Sequence, residues 1–284
     1  MKELISIVLP VYNGEKYLRD SIDSIINQTY KEWELLILDD CSTDSTACIA
    51  KEYAKQDSRI KYIRNETNLR LPNNLNKGFS LAKGDYLTWT SDDNKFKPMA
   101  LETMMNTLIV HDDKDLVYAS YQIIDENDRE LQIISADFKG REHILGSNVV
   151  GACFMYTRKA YDIVGDYDPN LMLVEDFDYW QRMFLEVDAI AIADVLYEYR
   201  WHSESLTSQK KEEKFGFLQE KMLLKNRPGF GHLNIEQKYY YNSCLYKSRK
   251  MQGIKNPYKL IYCMSLIDYK LFVRLRDKIK NIIQ

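Results

Sequence analysis

The chain has 284 residues, 45% apolar and 12% aromatic, which supplies a sizeable core and excludes wholesale disorder. Its 39 basic and 42 acidic side chains give a formal charge of −3, a balance that argues against a dedicated nucleic-acid binder. The five cysteines are scattered with no CxxC pair, so they read as reduced thiols of a cytoplasmic protein rather than a disulfide or zinc framework. Met1-Lys2-Glu3 leads straight into a β-like run, so no signal peptide is expected. The best candidate for a spanning helix, Leu260 to Leu275, is broken by Asp268, Lys270 and Arg274.

The first hundred residues alternate strand and helix signals. Leu4 to Leu9 is an apolar run, with Pro10 expected to end the strand. Leu18, Ile22, Ile25 and Ile26 form the stripe of an amphipathic helix. Trp33 to Leu38 reads as a second strand stopped by Asp39-Asp40; Ser42 and Asp44 are candidate caps for the next helix, which carries Ile49 and Tyr53 inward. Ile60 to Ile63 reads as a third strand, Asn74 to Leu81 as a helix ending at Gly84, and Tyr86 to Trp89 as a fourth strand running into Ser91-Asp92-Asp93. Repeated βαβ units predict an α/β fold: a mostly parallel sheet with helices on both faces.

The middle is less regular. Val117 to Tyr121 and Glu130 to Ile134 read as strands around a polar turn, Val149 to Tyr156 as another apolar run, and Glu175-Asp176 as the opening of a helix. After Lys210 the pattern is helical to the end. In parallel sheets the ligand crevice lies beyond the carboxyl ends of the strands, where Asp39-Asp40 and Asp92-Asp93 both fall. Clustered carboxylates repel unless a cation or a donor-rich ligand sits among them, and oxygen ligands suit Mg²⁺ or Mn²⁺.

Several motifs in order resemble the family-two glycosyltransferases: Ile7 to Asn13, Ser24 to Tyr30, Glu34 to Asp44, Asn65 to Asn68, Asn76-Lys77-Gly78, Ala82 to Tyr86, Asp92-Asp93, Val164 to Asp168, Glu175-Asp176 and Tyr199-Arg200-Trp201-His202. The resemblance covers roughly residues 4 to 208. It implies a GT-A (Rossmann-like) fold and an inverting enzyme that uses nucleotide-diphosphate sugars. It implies a catalytic unit over 1–208, with a nucleotide-binding part (1–95) and an acceptor-side part (96–208); the tail is not covered by the resemblance and reads from its own pattern as a helical basic extension over 209–284.

The resemblance also implies roles for residues. Pro10 and Tyr12 fall where the family packs the nucleotide base, and Asp40 matches the carboxylate that accepts a hydrogen bond from the base imide. Arg70 falls at a basic nucleotide contact, and Asp92 at the ribose. Asp93 matches the residue that holds the metal on the diphosphate, His202 reaches the same metal or diphosphate, and Asp176 matches the catalytic base. Thr90 stands where many members carry a further Asp, which leaves Asp93 as the firm protein ligand and predicts weak metal affinity without nucleotide.

The implied reaction moves a hexose or N-acetylhexosamine from a UDP-sugar to a hydroxyl of a glycan or lipid-linked glycan, in surface polysaccharide synthesis. Charge on the leaving diphosphate calls for a divalent cation plus Arg or His; the attacking hydroxyl calls for one carboxylate base. Two other readings share the fold type: a GT-A domain kept as a non-catalytic nucleotide-binding or scaffolding protein, and a sugar nucleotidyltransferase. The second would want a Gly-rich, Arg-containing loop where Tyr12-Asn13-Gly14-Glu15-Lys16 stands.

From Lys238 to Gln284 there are eleven Lys and Arg against Asp268 and Asp277. This basic, aromatic segment is expected either to dock on an anionic membrane surface, at the inner face of the plasma membrane, or to cap the catalytic domain or form a homodimer.

Overall fold

The computed structural model describes residues 3–137, 141–209 and 211–254. Strands β1 (Ile5–Val11), β2 (Trp33–Asp39), β3 (Ile60–Arg64) and β4 (Tyr86–Trp89) alternate with helices α1 (Leu18–Ile26), α2 (Thr46–Gln56) and α3 (Leu71–Leu81). After β5 (Lys95–Phe96) and α4 (Ala100–Val110) come β6 (Leu116–Ile124), β7 (Glu130–Ile134), β8 (Phe154–Thr157), α5 (Arg158–Val164), α6 (Glu175–Glu186) and β9 (Ala189–Arg200). Helices α7 (Leu206–Gln209), α8 (Glu212–Asn226) and α9 (Ile235–Met251) follow.

All nine strands form one sheet, in the order β3-β2-β1-β4-β8-β6-β9-β5, with β7 paired to β6. The β3-β2-β1-β4 half is parallel. Strand β8 pairs antiparallel with both β4 and β6, and β6 runs parallel to β9. The sheet is therefore mixed, and the wholly parallel arrangement the βαβ repeats suggest holds only for its first half.

Period-two alternation decides the layers. Ile5, Ile7 and Leu9 of β1, with Leu35 and Ile37 of β2, face one core shared with α1, α2 and α4. Val8, Leu36 and Leu38 face the other, shared with α3, α6, α8 and α9. This second core runs from Val8 to Leu245, so α8 and α9 pack into it rather than standing apart. Gly78 lets α3 lie close on β1: a Cβ there would come 2.4 Å from a Val8 methyl carbon.

Some boundaries differ from those expected. β1 does not stop at Pro10 but continues to Val11, because its pairing with β2 reaches Asp39 while its pairing with β4 has ended at Val8. Pro10 thus lies beyond β4, where the missing N–H is tolerated. Helix α2 starts at Thr46; Ser42 Oγ instead accepts from Asn13 N at 2.9 Å, and Asp44 Oδ1 accepts from Thr46 N at 3.0 Å. Helix α3 starts earlier than expected, at Leu71, with a proline in its first turn. Of the run 149–156, only its end is strand. The last thirty residues, including the basic stretches after Lys250, lie outside the described residues.

Candidate active site

The loops after β1 and β2 are zipped together at the carboxyl edge of the sheet. Asn13 and Cys41, each just past a strand end, take positive φ (54° and 71°), which turns both loops sharply. Asn13 Oδ1 accepts from Thr43 N at 2.8 Å, and Gly14 N donates to Thr46 Oγ1 at 2.9 Å. Glu15 N donates to Asp44 Oδ2 at 3.0 Å, and Ser45 N returns a bond to Glu15 Oε2 at 2.8 Å. Tyr12 projects from this edge 54% exposed, whereas Pro10 is buried in the strand.

Asp39 and Asp40 divide the work at the end of β2. Asp39 is fully buried; it accepts from Ser42 N, the Tyr62 hydroxyl and Arg64 Nη1 at 2.8, 2.6 and 2.7 Å. Burial opposes its charge, but these bonds and the Arg64 cation outweigh it and hold the carboxyl below its ordinary value. Asp40 faces the other way. Its Oδ1 accepts from Asn65 Nδ2 and Leu69 N, and its Oδ2 from Arg70 N at 2.8 Å. Arg70 reaches this geometry through a positive φ of 65° just before α3. Asn65 extends the network to Asn74 Oδ1 at 2.7 Å and to Lys77 Nζ at 2.6 Å. The Arg70 side chain itself is exposed.

The loop after β4 holds the second acidic pair. Asp92 packs against the backbone of the first loop: a Cβ on Gly14 would come 2.1 Å from its Oδ2, so only glycine fits there. Burial, and then the Asp93 charge, push the Asp92 carboxyl above the usual carboxylate range. Asp93 Oδ2 lies 2.9 Å from His202 Nε2, which the hydrogen bond to Asp93 raises above an ordinary histidine. Asp93 Oδ1 is buried and has no hydrogen-bond partner among the described residues. Thr90 turns away from this pair. It is 1% exposed and its hydroxyl meets the buried Tyr197 hydroxyl at 2.6 Å, so the position at which a carboxylate is missing faces the core.

Arg200 braces the same loop. It is 1% exposed; its Nε donates to the Asp93 carbonyl at 3.0 Å and its backbone N to Asn94 Oδ1 at 2.8 Å. Nη1 pairs with Asp128 Oδ1 at 2.7 Å, and the guanidinium sits 4.5 Å from the centre of the Tyr17 ring. Tyr17 also touches His202, with ring centroids 5.3 Å apart.

Asp176 stands in the first turn of α6. Its Oδ2 accepts from Asn148 Nδ2 at 2.8 Å and its Oδ1 from Phe177 N at 2.7 Å. The neighbouring Glu175 is buried and accepts from Leu173 N; burial and the Asp176 charge push its carboxyl up. Asp178, fully buried one step on, accepts from Arg182, Lys225 and Asn226, which fastens α6 to the end of α8. Asp176 borders a cavity of about 720 Å³ whose other walls are Asn148, Thr207 and residues of α8 and α9. The Tyr199 hydroxyl meets Thr207 Oγ1 at 3.0 Å; burial, and to a lesser degree the charges of Asp93 and Asp176, push its phenol above the ordinary value.

The sequence family described as Glycosyl transferase family 2 matches residues 6–165. The chain belongs to that family. An uncharacterized glycosyltransferase of Rickettsia typhi is 32% identical over 215 residues, 72% of this chain and 66% of that protein. The putative glycosyltransferase EpsE of Bacillus subtilis is 35% identical over 210 residues, 71% of this chain and 74% of that protein. The chain thus spans just under two thirds of the Rickettsia typhi relative's length. Among solved structures, residues 1–349 of Staphylococcus aureus TarS in complex with UDP-GlcNAc superpose with a TM-score of 0.69 at 19% identity. That match covers 88% of this chain and 73% of the other, and shows the GT-A fold with helices after it.

Within this family-2 fold, Tyr12, Asp40, Asp92 and Asp93 follow the carboxyl ends of parallel strands β1, β2 and β4, while Pro10 lies within β1 itself. His202 joins Asp93 from just beyond the end of β9, and Asp176 stands in the first turn of α6. Among the described residues, no group of three or more His, Cys, Asp or Glu is arranged to hold a metal. Asp93 and His202 still fit a divalent cation as a partial shell: one carboxylate oxygen is buried without a partner beside an imidazole nitrogen. Sequence reasoning gave no role to Tyr17, Asn65, Asn74, Lys77, Asn148 or Thr207. The Asn65 and Lys77 stretches were visible as motifs; nothing in the local pattern marks Tyr17 or Thr207.

Proposed function

We propose that the protein transfers a hexose or N-acetylhexosamine from a UDP-sugar to a hydroxyl of a glycan or lipid-linked glycan, with inversion at the anomeric carbon. The observation that carries this reading is the buried Asp93 Oδ1, without a hydrogen-bond partner among the described residues, beside His202, together with the Asp176 carboxylate on the lining of a cavity. The UDP-GlcNAc held by the TarS structure supports a uridine donor.

Tyr12 and Pro10 flank the base, Asp40 receives its imide, and Arg70 contacts the nucleotide. Asp92, whose carboxyl burial and the Asp93 charge push upward, serves the ribose. Asp93 and His202 would hold Mn²⁺ or Mg²⁺ together with the diphosphate and water. When bound, the cation stabilises charge on the leaving diphosphate. For His202 to ligate, its Nε2 would give up its hydrogen bond to Asp93 Oδ2 in exchange for the cation. Asp176 takes the proton of the acceptor hydroxyl, held in position by Asn148 and by the first turn of α6. Residues 1–208 act as the catalytic unit, divided near residue 95 between donor and acceptor sides. Residues 209–284 act as its extension, and the burial of Tyr241, Cys244 and Leu245 supports a capping role for α9. A lipid-linked acceptor would bring the enzyme to the cytoplasmic face of the membrane in surface polysaccharide synthesis. No helix of the described residues is long and apolar enough to cross a membrane.

The test is UDP release from a panel of UDP-sugars with Mn²⁺ or with EDTA, with Asp176→Asn as control. Release that needs the cation and is lost in the variant is expected. Donor binding with no turnover for any acceptor extract would favour the non-catalytic reading instead.

A further inference from the structure

The cavity beside Asp176 has a charged wall that the transfer chemistry does not explain. Lys247 and Lys250 both line it from α9, three residues apart and so on one face of the helix. Both are exposed, and among the described residues neither ammonium group has an ion-pair or hydrogen-bond partner. Arg249 between them turns to α8 and bonds Glu220 Oε1 through Nε at 2.6 Å, while Gln252 takes the other oxygen at 2.7 Å. The acid that α8 offers to α9 is therefore already used. Glu212 also borders the cavity, but it sits in the first turn of α8, where the helix dipole favours its charge without a cation.

Two neighbouring ammonium groups repel, and a neutral glycan would do nothing to relieve them. An anion placed between them and the base would. Phe177 and Phe215 on the same lining supply apolar surface for the faces of a sugar ring. We infer that the acceptor is an anionic glycan: a phosphate or carboxylate near the attacked hydroxyl is received by Lys247 and Lys250. The inference rests on the transferase reading above and names the acceptor class that reading leaves open. It also assigns the extension a part in substrate choice.

The test uses the full-length protein with ¹³C-methylated lysines and three matched probes: a methyl glucoside, its 6-phosphate, and the corresponding methyl glucuronide. The signals of Lys247 and Lys250 are assigned through the single Lys→Gln variants. Both charged probes are expected to shift those signals and the neutral glucoside to leave them in place; the stronger of the two separates phosphate from carboxylate. With an acceptor that turns over, Lys247→Gln/Lys250→Gln is expected to raise the acceptor KM about ten-fold with a much smaller change in kcat, and Lys247→Arg/Lys250→Arg to restore it. Equal shifts from the neutral probe, no shift from either charged probe, or an unchanged KM in the double Gln variant overturns the inference. Wild-type protein that releases UDP from no donor contradicts the transferase reading itself, and the lysine titration then decides anion binding separately.

Discussion

His202 Nε2 and Asp93 Oδ2 meet at 2.9 Å although 109 residues separate them in the chain. The contact exists because β9 returns parallel to β6 and ends beside the loop after β4, where Arg200 grips the Asp93 carbonyl. His202 thus arrives already oriented toward the Asp93 carboxylate. Replacing His202 by Ala is expected to weaken Mn²⁺-dependent UDP binding about ten-fold, and Asp93→Asn about a hundred-fold, measured by calorimetry with and without Mn²⁺. Metal-free UDP binding should change much less in either variant.

Asp176→Asn keeps the shape of the side chain and removes the base. Turnover should fall by about 10²–10⁴-fold while UDP-sugar binding stays near wild type. Steady-state transfer assays paired with donor titrations check this. Asn148→Ala leaves the carboxylate but removes its orienting donor at 2.8 Å, so its loss should be smaller and lie in kcat.

Acid sensitivity should trace in part to Asp39. Its folded pKa lies below the value in the unfolded chain, so its contribution is fully present above about pH 4 and is lost as pH falls through the folded value. Asp39→Asn is expected to cost about 1–3 kcal/mol at pH 7. The gap between the wild-type and variant melting temperatures should narrow toward pH 3. A constant gap from pH 7 to pH 3 would contradict the assignment.

Arg200→Lys keeps the charge but loses the fork that reaches both the Asp93 carbonyl and Asp128. Urea unfolding should show a loss of about 2 kcal/mol. Variant protein that remains folded should bind Mn²⁺-UDP more weakly, since the loop carrying Asp93 has lost its brace.

The βαβ half of the fold was legible because β1 and β2 are buried on both faces and because β2 and β4 run into acidic pairs. Strand β9 was not: its burial is mixed along twelve residues, and its pairing with β6 shifts register between Ala119 and Tyr121. Only the tertiary fold places that strand, and with it His202. At the site, the sequence carried the acidic side chains but not their surroundings. Asp40 meets Leu69 and Arg70 backbone because Arg70 takes a positive φ, which no residue pattern announces. Thr90 read as a missing carboxylate in the crevice, yet its side chain is packed on Tyr197. The helical run after Lys210 was visible, but not that it walls the cavity beside Asp176.

The central claim is that Asp93 and Asp176 serve opposite sides of one reaction centre. Donor binding and turnover measured side by side on Asp93→Asn and Asp176→Asn test it most directly. The account predicts that Asp93→Asn loses cation-dependent UDP binding and turnover together, whereas Asp176→Asn loses turnover alone. Two variants that bind UDP-sugar with Mn²⁺ and release UDP at wild-type rates would contradict it.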